Sequence, residues 1–264
     1  MTQRAAAARW LAKGRPAVIV EVSATKGSAP REAGTRMLVS ADQALGTIGG
    51  GHLELMAIDA ARTMLAQGEP QPFERHYPLG PALGQCCGGA VTLRYAPLDE
   101  QALRTWPAAA SRFFLQLYGA GHVGRAIVNL LAGIDCQVQW IDEREQEFPL
   151  DVNLPEHVEK VCVDTVEAEV RQAPPGACFL VLTHNHDLDL RITEAILKRG
   201  DFRFAGLIGS ATKRARFMHR FEARGIGADA LGRLTCPIGV PGIAGKEPEV
   251  IAVAVVAQLL QLGP

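Results

Sequence analysis

The apolar residues change period several times along the chain, and each change predicts an element. The opening MTQRAAAARWLAKGR has the spacing of an amphipathic helix, and Ala17 to Val22 reads as a buried strand. A turn-rich segment, Lys26 to Gly34, leads into a strand from Thr35 to Val39, too far on for a tight hairpin. After Gly49, Gly50 and Gly51, helical spacing of Leu53, Met56, Ala60 and Met64 predicts a helix. The chain is extended again from Phe73, and a strand from Ala90 to Tyr95 follows the GQCCGG segment at Gly84 to Gly89. Pro97, Asp99, Glu100 and Pro107 then break the apolar pattern, which marks Pro97 to Arg112 as a connection between domains 1–105 and 112–264.

Beyond the connection, strands and helices alternate. Phe113 to Tyr118, the run ending at Ile141, Val158 to Val163, Cys178 to Thr183 and Phe204 to Ile208 read as strands. Helices are predicted around Ile127 to Leu131, Val166 to Arg171, Leu188 to Lys198 and Val250 to Leu262. Parallel strands need such crossovers, so the prediction is an α/β chain: a Rossmann-like, doubly wound parallel sheet preceded by a smaller α+β domain. The C-terminal ends of its strands should face one crevice, bringing His184, His186 and the GSATKR turn with Ser210 near Gly119.

The best-formed unit runs from Phe113 to Asp142. Its strand feeds Gly119, Gly121 and Gly124, and Asp142 closes the next strand roughly 20 residues on, where a dinucleotide-binding unit places its ribose acid. The first glycine permits the turn, the second lets a phosphate approach bare backbone, and the third lets helix and strand pack closely. Gly49, Gly50 and Gly51 make a second phosphate-sized nest or simply serve the turn; His52 and Glu54 sit at that helix start, with Glu54 complementing the dipole. Vicinal Cys86 and Cys87 lack zinc-site spacing and are too close for ordinary disulfide geometry; the flanking glycines give a loop in which soft thiolates can meet a ligand. Cys136, Cys162 and Cys178 fall at strands and read as small core residues. His184 and His186 could ligate a metal, relay a proton or simply hydrogen-bond.

Composition narrows the classes. The chain has 264 residues, 48% of them apolar, and 27 Lys plus Arg against 28 Asp plus Glu. A net charge of -1 gives no footprint for nucleic acid or an anionic membrane. The longest apolar run, Val250 to Ala257, is too short to span a bilayer, no export signal is visible, and the cysteines read as reduced thiols of a cytoplasmic protein.

Taken together, GSAPREAGTRMLV, GTIGGGHLE, GQCCGG, GAGHVG, Asp142 with Arg144, THNHDLD, GLIGSATKR and CPIGV make the chain similar to the xanthine dehydrogenase accessory protein family (XdhC/CoxI-like). The chain departs from the family's usual turn before the last helix, where Gly242 and Glu247 stand in place of an aspartate and a threonine. The resemblance implies a dimeric, non-catalytic chaperone. It would bind molybdenum cofactor (molybdopterin), guard it while a cysteine desulfurase supplies its sulfido ligand, and deliver it to xanthine dehydrogenase or a related molybdenum hydroxylase. It implies Cys86 and Cys87 as contacts to the metal. Gly49, Gly50, Gly51 and His52, and Gly119, Gly121, His122 and Gly124, would cradle phosphate, with Asp142, Arg144, His184, His186 and Ser210 completing the cofactor-binding set. The alternative is an NAD(P)-dependent oxidoreductase acting on a pterin or other small substrate, with Asp142 on the ribose and Arg144 nearby.

Overall fold

The computed structural model describes residues 3–67, 70–79, 89–107, 111–150 and 154–263. The chain folds as two compact units, residues 2–108 and 109–264.

In the first unit, helix α1 (Gln3–Ala12) is followed by strands β1 (Ala17–Lys26), β2 (Arg36–Ser40) and β3 (Ala44–Gly46), helix α2 (Gly51–Ala66), and strands β4 (Phe73–Pro78) and β5 (Ala90–Pro97). The five strands form an antiparallel sheet in the order β3-β2-β1-β5-β4. Both faces of β1 are covered: Val18, Val20 and Val22 pack with Leu53, Ala57, Ala61 and Met64 of α2, while Ala17 and Ile19 pack with Ala7 and Trp10 of α1. A strand buried on both faces needs little polar alternation, which is why Ala17 to Val22 reads as an apolar run. The buried stripe of α2 is Leu53, Ala57, Ala61 and Met64; Met56 and Ala60, expected on it, are only half-buried.

The predicted connection is largely part of this unit. Leu98 and Trp106 are buried in the core under α1, and between them lies helix α3 (Glu100–Thr105). Asp99 caps α3 by accepting from the Ala102 amide at 2.6 Å. The polar residues that interrupt the apolar pattern are therefore a cap and a solvent face.

The second unit is a six-stranded sheet, all parallel, in the order β11-β10-β9-β6-β7-β8. Its strands are β6 (Phe114–Tyr118), β7 (Gln137–Asp142), β8 (Val158–Cys162), β9 (Cys178–Val181), β10 (Phe204–Leu207) and β11 (Leu234–Thr235). On one face lie α4 (His122–Leu131) and α8 (Pro248–Leu260), packing Ile127, Leu131, Val255 and Leu259 onto Leu115 and Leu117. On the other lie α5 (His186–Arg199) and α6 (Ala211–Ala223), with Ile192, Ile196, Phe217 and Phe221 on Tyr118 and Phe179; α7 (Ala228–Gly232) follows α6. This is the predicted doubly wound sheet. The chain winds outward in opposite directions from β6 and β9, so the crevice lies where their C-terminal turns part. No helix among the described residues is long and apolar enough to cross a membrane.

The assignment of Cys162 to the core is corrected. Cys136 and Cys178 are buried, whereas Cys162 is exposed. It ends β8, an edge strand of the sheet, where the neighbouring strand covers one side only.

Candidate functional site

The glycine turn between β6 and α4 is built from three glycines with three different reasons. Gly119 has φ of +124°, and a Cβ there would lie 2.4 Å from the Leu182 carbonyl oxygen, just past β9. A Cβ on Gly124 would lie 2.1 Å from the Gly119 carbonyl oxygen. These two are fixed by the backbone and by packing. Gly121 is different: its φ of −72° and ψ of −170° are open to any residue, and a Cβ would meet nothing within 4 Å. None of the described residues requires a glycine there. As the residue preceding α4 it offers no side-chain cap, so the helix opens with bare amides beside exposed His122.

Asp142 sits at the end of β7, as the spacing predicts, and its carboxylate is fully engaged by the protein. Oδ2 accepts from the Ala120 amide at 2.7 Å and from Arg144 Nη2 at 3.0 Å; Oδ1 accepts from the Arg144 amide and Nε, both at 3.0 Å. Burial pushes the Asp142 pKa up, but the Arg144 guanidinium and the two amides outweigh it, leaving the group below its ordinary value of 3.8. Arg144 continues to Glu147 Oε1 at 3.2 Å, and Glu147 Oε2 and its carbonyl receive Arg125 of α4, both at 2.8 Å. The chain Asp142–Arg144–Glu147–Arg125 thus ties the end of β7 to the first turn of α4.

Across the crevice, the turns after β9 and β10 meet. Thr183, His184, His186, Asp189, Ile208, Gly209, Ser210, Thr212, Lys213 and Arg216 line a cavity of about 420 Å³. Asn185 caps α5 through the Asp187 and Leu188 amides, and Ser210 caps α6 through the Lys213 amide. His184 Nε2 lies 3.7 Å from Glu143 Oε1, just past β7. In the cavity wall, Lys213 Nζ donates to Asp189 Oδ2 at 2.6 Å, and Asp189 Oδ1 accepts from the Thr183 amide at 3.0 Å and hydroxyl at 2.7 Å.

In the first unit, Gly49, Gly50 and Gly51 all have positive φ, at +128°, +77° and +65°. The nest they form holds an anion that belongs to the chain. Glu54 Oε2 accepts from the Ile48 and Gly50 amides, both at 3.1 Å, and from the Thr47 hydroxyl. His52 is exposed on the first turn of α2. The Lys26 to Gly34 segment touches two motifs: a Cβ on Gly49 would lie 2.6 Å from Pro30, and one on Gly89 would lie 2.2 Å from the Ser28 carbonyl oxygen. Cys86 and Cys87 lie outside the described residues, and among the described residues no group of three or more His, Cys, Asp or Glu is placed to hold a metal ion.

Residues 115–259, more than half the chain, match the family model described as the XdhC Rossmann domain. The chain belongs to the XdhC family. Residues 10–78 match the model described as the XdhC and CoxI family. YqeB of Escherichia coli K12, an uncharacterised protein, is 30% identical over 258 residues, covering 94% of this chain and 43% of YqeB. The chain thus spans less than half the length of that curated relative. Among solved structures, a xanthine dehydrogenase from Bacillus halodurans superposes with a TM-score of 0.77 at 19% identity, covering 99% of this chain and 96% of that one. At that identity the likeness speaks for the fold.

For this XdhC-family chain, the structure brings Gly119, Gly121, His122, Gly124, Asp142 and Arg144 to one turn, and His184, His186 and Ser210 to the cavity beside it. Gly49, Gly50, Gly51 and His52 stand at the separate nest of the first unit. Sequence reading passed over Asp189, Lys213 and Arg216 individually, though all three lie in or next to the THNHDLD and GSATKR motifs. The signal available was a lysine three residues after a helix cap, at a position that points back into the sheet.

Proposed function

We propose that this protein is an accessory protein that binds molybdenum cofactor, guards it, and delivers it to xanthine dehydrogenase or a related molybdenum hydroxylase. Membership of the XdhC family supports the reading, and Gly121 is the observation that carries it to a place in the molecule. Its missing side chain leaves a space that no described residue fills, in front of uncapped helix amides. A phosphate group suits that space and those donors. The amides following Gly121, with Gly119 and Gly124 shaping the turn, would hold the pterin phosphate. Cys86 and Cys87 would supply soft donors for the molybdenum end. A cysteine desulfurase as sulfur donor and a homodimeric assembly belong to the same proposal.

The saturated Asp142 carboxylate separates this reading from the nicotinamide-dependent alternative. A ribose diol needs a free carboxylate oxygen there, and each Asp142 oxygen already has two donors. The test is binding of molybdopterin and, separately, of NAD and NADP to the purified chain by calorimetry. Molybdopterin should bind to the wild type and be lost in Gly121→Val while far-ultraviolet circular dichroism stays native. Tight nicotinamide binding with no molybdopterin binding would establish the alternative.

A further inference from the structure

The Lys213 ammonium has three N–H donors. Two are spent inside the protein, on Asp189 Oδ2 at 2.6 Å and the Ile208 carbonyl at 2.9 Å; no described oxygen accepts the third, and the ammonium also lies 5.4 Å from the centre of the Phe217 ring. The side chain is only 9% exposed, yet it lines the cavity between the turns after β9 and β10. A buried Lys–Asp pair is a weak device for stability, because desolvating two charges consumes most of their attraction. Asp189 needs nothing further, since Thr183 satisfies its other oxygen twice. What the pair achieves is a rigidly held ammonium with one donor to spare.

Arg216 follows Lys213 at the i,i+3 spacing, which places both on one face of α6, and both line the cavity. Among the described residues no carboxylate lies within ion-pair distance of Arg216; its guanidinium has only a ring contact with Phe217, at 5.9 Å. Thr212, in the first turn of the 13-residue α6, adds a hydroxyl and an amide that no described group accepts. The charged lining is therefore two cations against one carboxylate, and that carboxylate is already matched. At about 420 Å³ the space exceeds what a bare ion needs and lies in the range of small-molecule sites, about 300–1,000 Å³.

We infer that this cavity is a second oxyanion site, separate from the glycine turn, which takes the phosphate group of a small phosphate monoester through Lys213, Arg216 and the start of α6. Donors from an ammonium, a planar guanidinium and a helix end suit an anion with several oxygens. The inference rests on the cavity and its lining and not on the molybdenum-cofactor reading.

The test is a titration of the full chain with inorganic phosphate and, in a second arm, glycerol 3-phosphate, followed by amide chemical shifts in wild type, Arg216→Gln and Gly121→Val. Arg216 is exposed, so its substitution leaves the core intact. Saturable shifts clustered at residues 183–186 and 208–213 are expected, with affinity falling about tenfold in Arg216→Gln and unchanged in Gly121→Val. The monoester should bind more tightly than inorganic phosphate if the rest of the cavity is used. Shifts confined to residues 120–124 and lost only in Gly121→Val would overturn the inference while leaving the glycine-turn reading standing. No saturable shift anywhere would overturn it too.

Discussion

The glycine turns before α2, in the first unit, and before α4, in the second, look alike in sequence but are used differently. In the first unit, Glu54 folds back so that its carboxylate accepts from the Ile48 and Gly50 amides. In the second, Asp142 takes only the Ala120 amide among those of the turn, and no described residue fills the space over Gly121. A run of glycines before a helix thus says that an anion is wanted there. Whether the anion comes from outside is decided by which carboxylates the chain can bring within reach. Glu54, four residues past Gly50, reaches back along its own helix. Asp142 arrives from the neighbouring strand, is held by Arg144, and stops at the first amide of the turn.

The largest effect that tests this contrast is steric. Gly119→Ala and Gly124→Ala each put a Cβ into a backbone carbonyl, and Gly119 also has a left-handed φ, so each should cost on the order of 3–5 kcal/mol in urea unfolding. Gly121→Ala should move stability by less than about 1 kcal/mol, because the stiffer unfolded chain and the poorer helix cap offset one another. Three equal losses would mean that Gly121 is structural and that the turn holds no ligand.

Glu54→Ala comes next. Losing the carboxylate leaves two amides and the Thr47 hydroxyl without their acceptor, at a cost of about 1–3 kcal/mol. The emptied nest should then gain thermal stability from added sulfate where the wild type gains little, and an unchanged sulfate response would show that the nest does not select anions.

A smaller effect is expected at Asp142. Its lowered pKa means that it contributes stability above the unfolded carboxyl value of 3.8, and that this is lost as pH falls through the lower folded value. Asp142→Asn should therefore be less stable than wild type at neutral pH, with the gap closing as pH falls below the unfolded value of 3.8; a constant gap in denaturation midpoints would assign the loss to something other than the charge. The smallest effect concerns the thiols. In a Cys86→Ser, Cys87→Ser background, Cys162 should react with an aromatic disulfide in the native protein. Cys136 and Cys178, whose pKa values burial pushes up to about 12 and about 11, should react only on unfolding.

The doubly wound sheet was legible because its central strands, such as CFLV and FAGL, are apolar runs and the segments between strands carry helical spacing, which is local information. The position of Asp142 was legible for the same reason, but its engagement was not, since that depends on Arg144 turning back on it and on an amide 22 residues earlier. Glu54 was read as complementing the helix dipole; that it bends back into the nest follows from three successive positive φ values, which the letters G-G-G permit but do not dictate. Cys162 was misplaced because a strand's own sequence does not tell a central strand from an edge. Lys213 and Asp189 were missed because a buried charged pair 24 residues apart uses the same residue types as any solvated helix face.

Trp140 adds an optical consequence. Its indole, 1% exposed, donates to the Gly119 carbonyl at 3.0 Å, while Trp10 and Trp106 both belong to the first unit. The hinge of the glycine turn is therefore wired to a single fluorophore. In a variant with Trp10 and Trp106 replaced by Phe, emission from Trp140 reports the polarity and rigidity around that one carbonyl. Filling of the turn becomes visible as a change in emission wavelength or lifetime, without a label and without the ligand itself absorbing light.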